Sequence, residues 1–472
     1  METSLVNYKS LERTKRVDAE FYNPFYLKTL KILNRYKTQP ITQLCKVSDG
    51  NHMSIANYFQ ENPGIPYYRG QDINTDFFLE NANPVYIPEE IYDRKYMKRS
   101  YFKPNDILLS IVGTVGSLSL VTDQIERSTG SCKLAILRPR SINPEYLAIF
   151  LMCLYGNSQV KRNVRGAVQT GLLLEDMDQI NVYVATQIFQ SFISSIIKQA
   201  LSLNRDFRDL YLQAEQILSS KLGLTNWQPK HQLSFAKNFS DTKSADRIDA
   251  EYFQPFYDEV KRKLSTKKLK TLDSLCALIN YGTVPTSPYF KTGIPYIKGL
   301  NLIGGFVGGE IDKITNTEKL PKKFFTKEND IIISQMGTVG KAGLVTKDQE
   351  NYVLASFTIR IRLENYNYID PYVLTLFINK IARPYYLLRK IAQASVRQNT
   401  DLPTIKNLLV PSLSAKAQNI ISSKIKQSYI SKLKSKKLLE ITKQGVQIAI
   451  EKDESTAENW IKEQTHKLGV KI

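Results

Sequence analysis

The chain has 472 residues, 42% hydrophobic and 10% aromatic, ample for packed cores and too rich for wholesale disorder. Lysine and arginine outnumber aspartate and glutamate by 20, an excess that points to a polyanionic partner, most often nucleic acid. Four cysteines without a C-x-x-C pair and three scattered histidines argue against a disulfide framework, a zinc site or a histidine-centred triad.

The length suits two to four folding units. The longest apolar run, residues 107–121, is broken by serine, glycine and threonine, so no membrane span is expected. The opening residues METS lack the basic-then-apolar layout of a signal peptide, and the expectation is a cytoplasmic protein. Charge is uneven: residues 1–230 hold 27 basic and 22 acidic side chains, residues 231–472 hold 38 and 23. More of any phosphate attraction therefore belongs to the second half.

In chain order, the first block is RVDAEFYNPFY at 16–26, followed by a strand-like GIPYYRG at 64–70 and a charge-rich insert over 72–100. Residues 106–122 open with DILLSIVGTVG. Runs of Ile, Leu and Val without helical spacing, split by a Gly-Thr-Val-Gly turn, predict strand–turn–strand. A short helix is expected at 144–154, with Pro144 in its first turn. Over 186–222, Phe189, Ile196, Leu203, Leu210 and Ile217 recur every seven residues, with Ile193, Ala200, Phe207 and Ala214 at complementary positions. This narrow apolar seam predicts a coiled-coil helix, closed by Gly223 and followed by Pro229.

The series then repeats. RIDAEYFQPFY at 247–257 matches the first block at seven of eleven positions, GIPYIKG at 293–299 matches the strand, and DIIISQMGTVG at 330–340 matches the strand–turn–strand. A short helix at 371–381 precedes a second long one at 414–452, with Ile421, Ile425, Tyr429, Leu433, Leu439 and Val446 along it, where ISSKIKQ at 421–427 echoes ISSIIKQ at 193–199. The four blocks keep their order at offsets of 231, 229, 224 and 228, while residues 72–100 and 300–325 diverge almost completely. The expected fold class is α+β. Two mixed α/β globules, 1–185 and 225–413, are each followed by a long helix, 186–224 and 414–452. The helices pair as an antiparallel coiled coil, and 453–472 is a C-terminal tail. A shared frame with different inserts suits two related readers of different targets, although drift in surface loops leaves the same pattern.

The ordered double series resembles the specificity subunit of Type I restriction–modification enzymes over nearly the whole chain. Each motif is weak alone; the duplicated order is what carries the likeness. The resemblance implies two target-recognition domains, each reading one half of a split, asymmetric site on double-stranded DNA. It implies spacer helices that dock two DNA methyltransferase (modification) subunits, with an endonuclease/translocase subunit joining the assembly. It implies no cofactor in this chain, with S-adenosylmethionine, ATP and Mg on the partner subunits, and no membrane. Two other readings remain at this level: a self-contained DNA methyltransferase or nuclease, and a coiled-coil scaffold without DNA binding.

No catalytic constellation is present in the sequence. Neither Gly-Thr-Val-Gly segment has P-loop spacing, and both read first as tight turns with Thr114, Thr338 and Lys341 beside a possible phosphate. Asn23-Pro-Phe-Tyr mimics a methyltransferase motif, but its repeat has Gln254 and no glycine-rich cofactor loop precedes it; an aromatic anchor is the simpler reading. The candidate DNA contacts are Asn51, His52 and, opposite them, Thr283; Arg69 and its repeat Lys298; the insert cations Arg94, Lys95, Lys98, Arg99, Lys322 and Lys323; and Arg162, Arg165 and Gln169, matched near Arg397 and Gln398. Arg addresses guanine and Asn or Gln adenine by paired hydrogen bonds, whereas Lys mostly holds phosphates. The candidate helix-pairing residues are Phe189, Ile193, Ile196, Leu203, Leu210, Ile217, Ile421, Ile425, Leu433 and Leu439.

Overall fold

A computed structural model describes residues 3–9, 11, 16–61, 63–73, 77–166, 170–391 and 399–472. The chain divides into two units, Met1–Arg205 with Ser431–Ile472, and Asp206–Ile430. The expected globules 1–185 and 225–413 fall one in each. The long helices do not stand apart from the units as free spacers: each is divided between them.

The first unit holds β1 (Thr38–Pro40), β2 (Cys45–Asp49), β3 (Ile65–Tyr68), β4 (Val85–Ile87), β5 (Ile107–Ser110), β6 (Leu118–Leu120), β7 (Thr129–Gly130), β8 (Leu134–Pro139) and β9 (Asn181–Tyr183). They form a four-stranded sheet β2-β8-β5-β6, a three-stranded sheet β4-β3-β7 and the pair β1-β9. The second unit holds β10 (Leu269–Thr271), β11 (Cys276–Tyr281), β12 (Ile294–Ile297), β13 (Leu302–Ile303), β14 (Phe306–Val307), β15 (Lys313–Ile314), β16 (Ile331–Ser334), β17 (Ala342–Leu344), β18 (Val353–Leu354), β19 (Thr358–Leu363) and β20 (Leu409–Pro411). Its sheets run β11-β19-β16-β17-β14-β13, β15-β12-β18 and β10-β20. Strand for strand this is the first unit again, extended by β13 and β14 from the divergent insert.

The expected strand–turn–strand is present in both copies, β5 with β6 and β16 with β17. Ile107 and Leu109 enter the main core and Leu108 a second cluster on the other face, and Ile331, Ile333 and Ile332 do the same. A strand covered on both faces needs no polar alternation, which is why these runs are continuously apolar. Gly113 and Gly116, and again Gly337 and Gly340, have φ between 73° and 94°, the left-handed geometry expected of the turn.

Pro144–Met152 is a helix with the Asn143 side chain accepting from the Tyr146 amide, and Leu154–Arg162 continues after a break. In the second unit Pro371–Phe377, capped by Asp370, widens into the π-helix Ile378–Leu387 around Pro384. A proline inside a helix lacks the amide for the ordinary bond, and a wider turn accommodates it.

The long helices are Gln187–Lys221 and Ala415–Glu451. In the first unit the Ser435 hydroxyl donates to the Ala200 carbonyl at 2.7 Å; in the second, Ser428 donates to the Phe207 carbonyl at 3.0 Å and Lys424 to Gln213 at 2.6 Å. Numbers that rise on one helix fall on the other, so the paired segments are antiparallel. The seam on the first helix follows the expected one through Ala200 and again at Ala214, both buried, and departs from it elsewhere. Phe189, Ile193, Ile196, Ile421 and Ile425 are buried, but Leu203, Leu210, Ile217 and Leu439 are only half-buried, and Leu433 is exposed. The buried places go instead to Ile197, Asn204, Leu218 and Leu438. On the second helix a seven-residue stripe of Ile421, Ser428, Ser435, Thr442 and Ala449 lies buried. Small hydroxyl residues escape a search for apolar knobs, yet here two of them bond the facing backbone.

The expected C-terminal tail is a helix, Glu454–Lys467, capped by Asp453 and burying Ala457, Ile461 and Thr465 in the first unit. Glu454 accepts from the Tyr183 hydroxyl and the Thr186 amide, both at 2.9 Å. A Cβ at Gly445 would collide with Ile461, so glycine permits this close approach. Among the described residues no helix is long and apolar enough to cross a membrane.

Candidate nucleic-acid interface

The repeated R-x-D-A-E-aromatic block builds the same clasp twice. Arg16 forks onto Asp18 at 2.8 and 2.9 Å, and Arg247 onto Asp249 at 2.7 and 2.8 Å. Asp18 accepts from the Phe21 amide and Asp249 from the Tyr252 amide. The ring that follows lies beneath two guanidinium groups: Arg16 and Arg162 on Phe21, Arg247 and Arg389 on Tyr252. Arg162 also donates to the Phe21 carbonyl at 2.9 Å, as Arg389 does to Tyr252 at 2.8 Å. Arg162, expected to face DNA, therefore helps hold the start of the chain to its globule. Arg165 pairs with the buried carboxylate of Asp176. Gln169, Arg397 and Gln398 lie outside the described residues.

At the Gly-Thr-Val-Gly turns, the hydroxyls of Thr114 and Thr338 lie 3.3 Å from Ser110 and Ser334. The Gly116 and Gly340 amides bond the Ser110 and Ser334 carbonyls, which closes the turns on themselves. Burial and the nearby Arg383 pull the Lys341 amine below its ordinary value.

After β3 and β12 the backbone turns identically: the Arg69 amide donates to Asp72 at 2.8 Å, and the Lys298 amide to Asn301 at 2.9 Å. The Arg69 guanidinium is then forked onto Asp72, with both bonds 2.9 Å. Lys298 reaches Asp312 at 2.5 Å and sits 3.7 Å from the centre of the Tyr289 ring.

A glycine-anchored loop follows β2 and β11. A Cβ at Gly50 would strike the Gly130 and Ser131 carbonyls, and one at Gly282 those of Leu354 and Ala355. Asn51 and Thr283 then make the same parallel bridge, to Ser131 and Ala355. Asn51 is 3% exposed and its amide closes on the backbone of Met53, at 2.9 Å in both directions; it is a loop clamp with no free edge for a base. His52 lies 2.5 Å from Asp49, which also receives Arg99, so two of the expected contacts converge on one carboxylate. Arg94 covers the Tyr58 ring at 5.3 Å and reaches the Tyr96 hydroxyl. Lys95 and Lys98 are exposed on the same short helix, Lys95–Ser100. Lys322 and Lys323 are exposed on the 3-10 turn Lys322–Phe324 of the other unit.

These loops also carry exposed apolar and aromatic side chains that charge and hydrogen-bonding capacity do not single out in the sequence. Tyr58 and Met53 are 40% and 56% exposed, and Val284, Tyr289 and Phe290 are 67%, 49% and 50% exposed. The signal was available: Tyr-Phe recurs at 58–59 and 289–290, at the 231 offset of the first block. Among the described residues no group of His, Cys, Asp and Glu converges as a metal site.

The molecule is thus a duplicated α/β protein whose two units carry the same loop with different side chains. Comparison with known proteins places this class more narrowly. No family model matches the chain. A stretch of 151 residues is 27% identical to the specificity subunit of the Type I restriction enzyme EcoBI of Escherichia coli, covering 32% of this chain and 31% of that one. The match therefore spans about a third of the relative's length. Solved structures that align include the Type I restriction–modification S subunit from M. genitalium, at 12% identity and a TM-score of 0.42, over 88% of this chain and 95% of that one. The HsdS subunit from Thermoanaerobacter tengcongensis aligns at 12% identity and a TM-score of 0.28, over 88% of this chain and 97% of that one. The resemblance stated from the motifs and the curated relative thus agree: this chain is similar to Type I restriction specificity subunits.

Proposed function

We propose that the chain is the DNA-recognition subunit of a Type I restriction–modification complex, itself without catalysis, and that its two units read the two halves of an asymmetric, interrupted site. The observation that carries this reading is the duplication. One strand order and one glycine-anchored loop occur twice, with different exposed cations and aromatic rings at the loop. A frame held constant beneath varied contact groups suits two readers of unlike sequences. The net positive charge supplies sequence-independent attraction to phosphates, which should weaken steeply with salt. Adenine methylation and cleavage, with their S-adenosylmethionine, ATP and Mg, belong in this reading to two modification subunits and an endonuclease subunit that dock on the long helices. Cytoplasmic location follows from that role.

Mapping methylated adenines in the host genome with and without this chain tests the proposal. The expected result is loss of one bipartite motif. Exchange of residues 225–413 for those of a homologous chain should change one half of the motif and leave the other. A palindromic motif, or an exchange that alters both halves, overturns it.

A further inference from the structure

Single exposed apolar side chains are ordinary on a protein surface; recurrence at one place in two copies is not. Met53 and Tyr58 in the first unit, and Val284, Tyr289 and Phe290 in the second, occupy the loop that Gly50 and Gly282 anchor. In both, a cation covers one face of the tyrosine: Arg94 on Tyr58 and Lys298 on Tyr289. A ring with a cation on one face cannot slide between two stacked bases. It can present its edge and the neighbouring apolar atoms to a groove. The paired hydrogen bonds that would read adenine are closed off in the first loop, because the Asn51 amide holds Met53. The apolar feature that a base pair displays in the major groove is the thymine C5 methyl. Charge beside the loop fits the same ligand. Arg94, Lys95 and Lys98 make no ion pair among the described residues, which leaves them for phosphates.

Resting on the DNA-reading proposal above, we propose that each unit recognises thymine in its half-site by apolar contact of this loop with the base methyl. Met53 and Tyr58 make that contact in the first unit; Val284, Tyr289 and Phe290 make it in the second.

The test uses the full-length chain with its modification subunits and a duplex carrying the mapped site. Each thymine in the two tracts is replaced in turn by deoxyuridine, which lacks only the methyl. Removing one buried methyl should weaken binding about fourfold at one thymine in each tract. The double variant Met53→Ala/Tyr58→Ala should bind thymine and uracil duplexes alike in one tract and keep the full difference in the other. Val284→Ala/Tyr289→Ala should do the reverse. These side chains are surface-exposed, and an unchanged melting temperature confirms folding. Equal binding of every uracil duplex by the unaltered chain, or a half-site without thymine, overturns the inference. So does a variant that keeps the discrimination while losing its hold on the modification subunits, since the loops would then be protein contacts. Failure of the unaltered complex to bind the duplex at all instead rejects the DNA-reading proposal itself.

Discussion

Ile136 on β8 and Arg360 on β19 occupy the same register in the two units: Ile136 faces Leu108 and Ser48, and Arg360 faces Ile332 and Asn280. Both are fully buried, 1% and 0% exposed. In the first unit the position is simply core. In the second, the guanidinium donates to Asn280 Oδ1 at 2.7 Å, to the Phe325 carbonyl at 2.8 Å and to the Lys323 carbonyl. Burial pulls it down to about 10, against the opposing influence of Asp330. Lys323 and Phe325 belong to the divergent insert region, so Arg360 pins that region to the shared sheet. The first unit fastens its own insert by other means: Ser100 bonds Thr129 at 2.8 Å, and the Tyr101 hydroxyl donates to the Tyr92 carbonyl at 2.6 Å. The sheet is the constant part, and each insert brings its own fastening. That is what lets one frame carry unlike reading surfaces.

The largest test exchanges these fastenings. Ile136→Arg places a charge where the first unit offers only Asp106, already forked by Arg138, and Arg360→Ile takes the guanidinium from Asn280 Oδ1 and the Phe325 carbonyl; each should cost about 3–5 kcal/mol. The pair Arg360→Ile/Asn280→Ser copies the first unit's Ile136 and Ser48 and should recover part of the loss. Hydrogen exchange at residues 331–333 and 107–109 reads each unit separately. A full-sized loss from the paired exchange would mean that the two positions are not equivalent.

A smaller effect is expected at the buried carboxylate common to both units. Asp106 receives the Arg138 fork at 2.7 and 2.6 Å, and Asp330 the Arg362 fork at 2.6 and 2.7 Å. Replacement by Asn should cost about 1.5–3 kcal/mol in each unit. The greater loss is expected in the second, where Arg360 also stands 3.6 Å from Asp330. Equal losses would remove Arg360 from that account.

The helix pair gives a third comparison. Ser435→Ala in the first unit and Ser428→Ala in the second each delete one bond to the facing helix, so both should cost about 1 kcal/mol in urea denaturation. No loss at either would reduce the buried hydroxyl stripe to filler.

The smallest effect is pH-dependent. The Arg16 fork, and the Arg247 fork in the repeat, hold Asp18 and Asp249 below their ordinary 3.8. A depressed carboxylate pKa stabilises the fold fully above the unfolded value, and that contribution fades as pH falls through the folded one. Asp18→Asn and Asp249→Asn should each shrink the loss of stability seen in titration below about pH 4. Partial exposure keeps the effect slight. An unaltered acid limb in both would detach the clasps from acid stability.

The duplication, the continuous strands around each Gly-Thr-Val-Gly turn and the two long helices were legible from the residues alone. Each is written in local period or turn chemistry, which needs no knowledge of distant partners. The aromatic repeat at 58–59 and 289–290 was written there too, outside the cations, amides and hydroxyls that charge and hydrogen bonding single out. Where the buried row of the first long helix shifts, to Asn204 and Leu218 in place of Leu203 and Ile217, the facing helix sets it, because a period of seven leaves the choice between adjacent rows open until that helix is present. That helix presents Ser428 and Ser435, whose hydroxyls matter only through carbonyls across the pair. The same holds for Arg162, whose partner Phe21 lies 141 residues away, and for the helix Glu454–Lys467, whose few apolar residues make sense only against Gly445. A side chain's role is set by what surrounds it, and those neighbours come from remote parts of the chain.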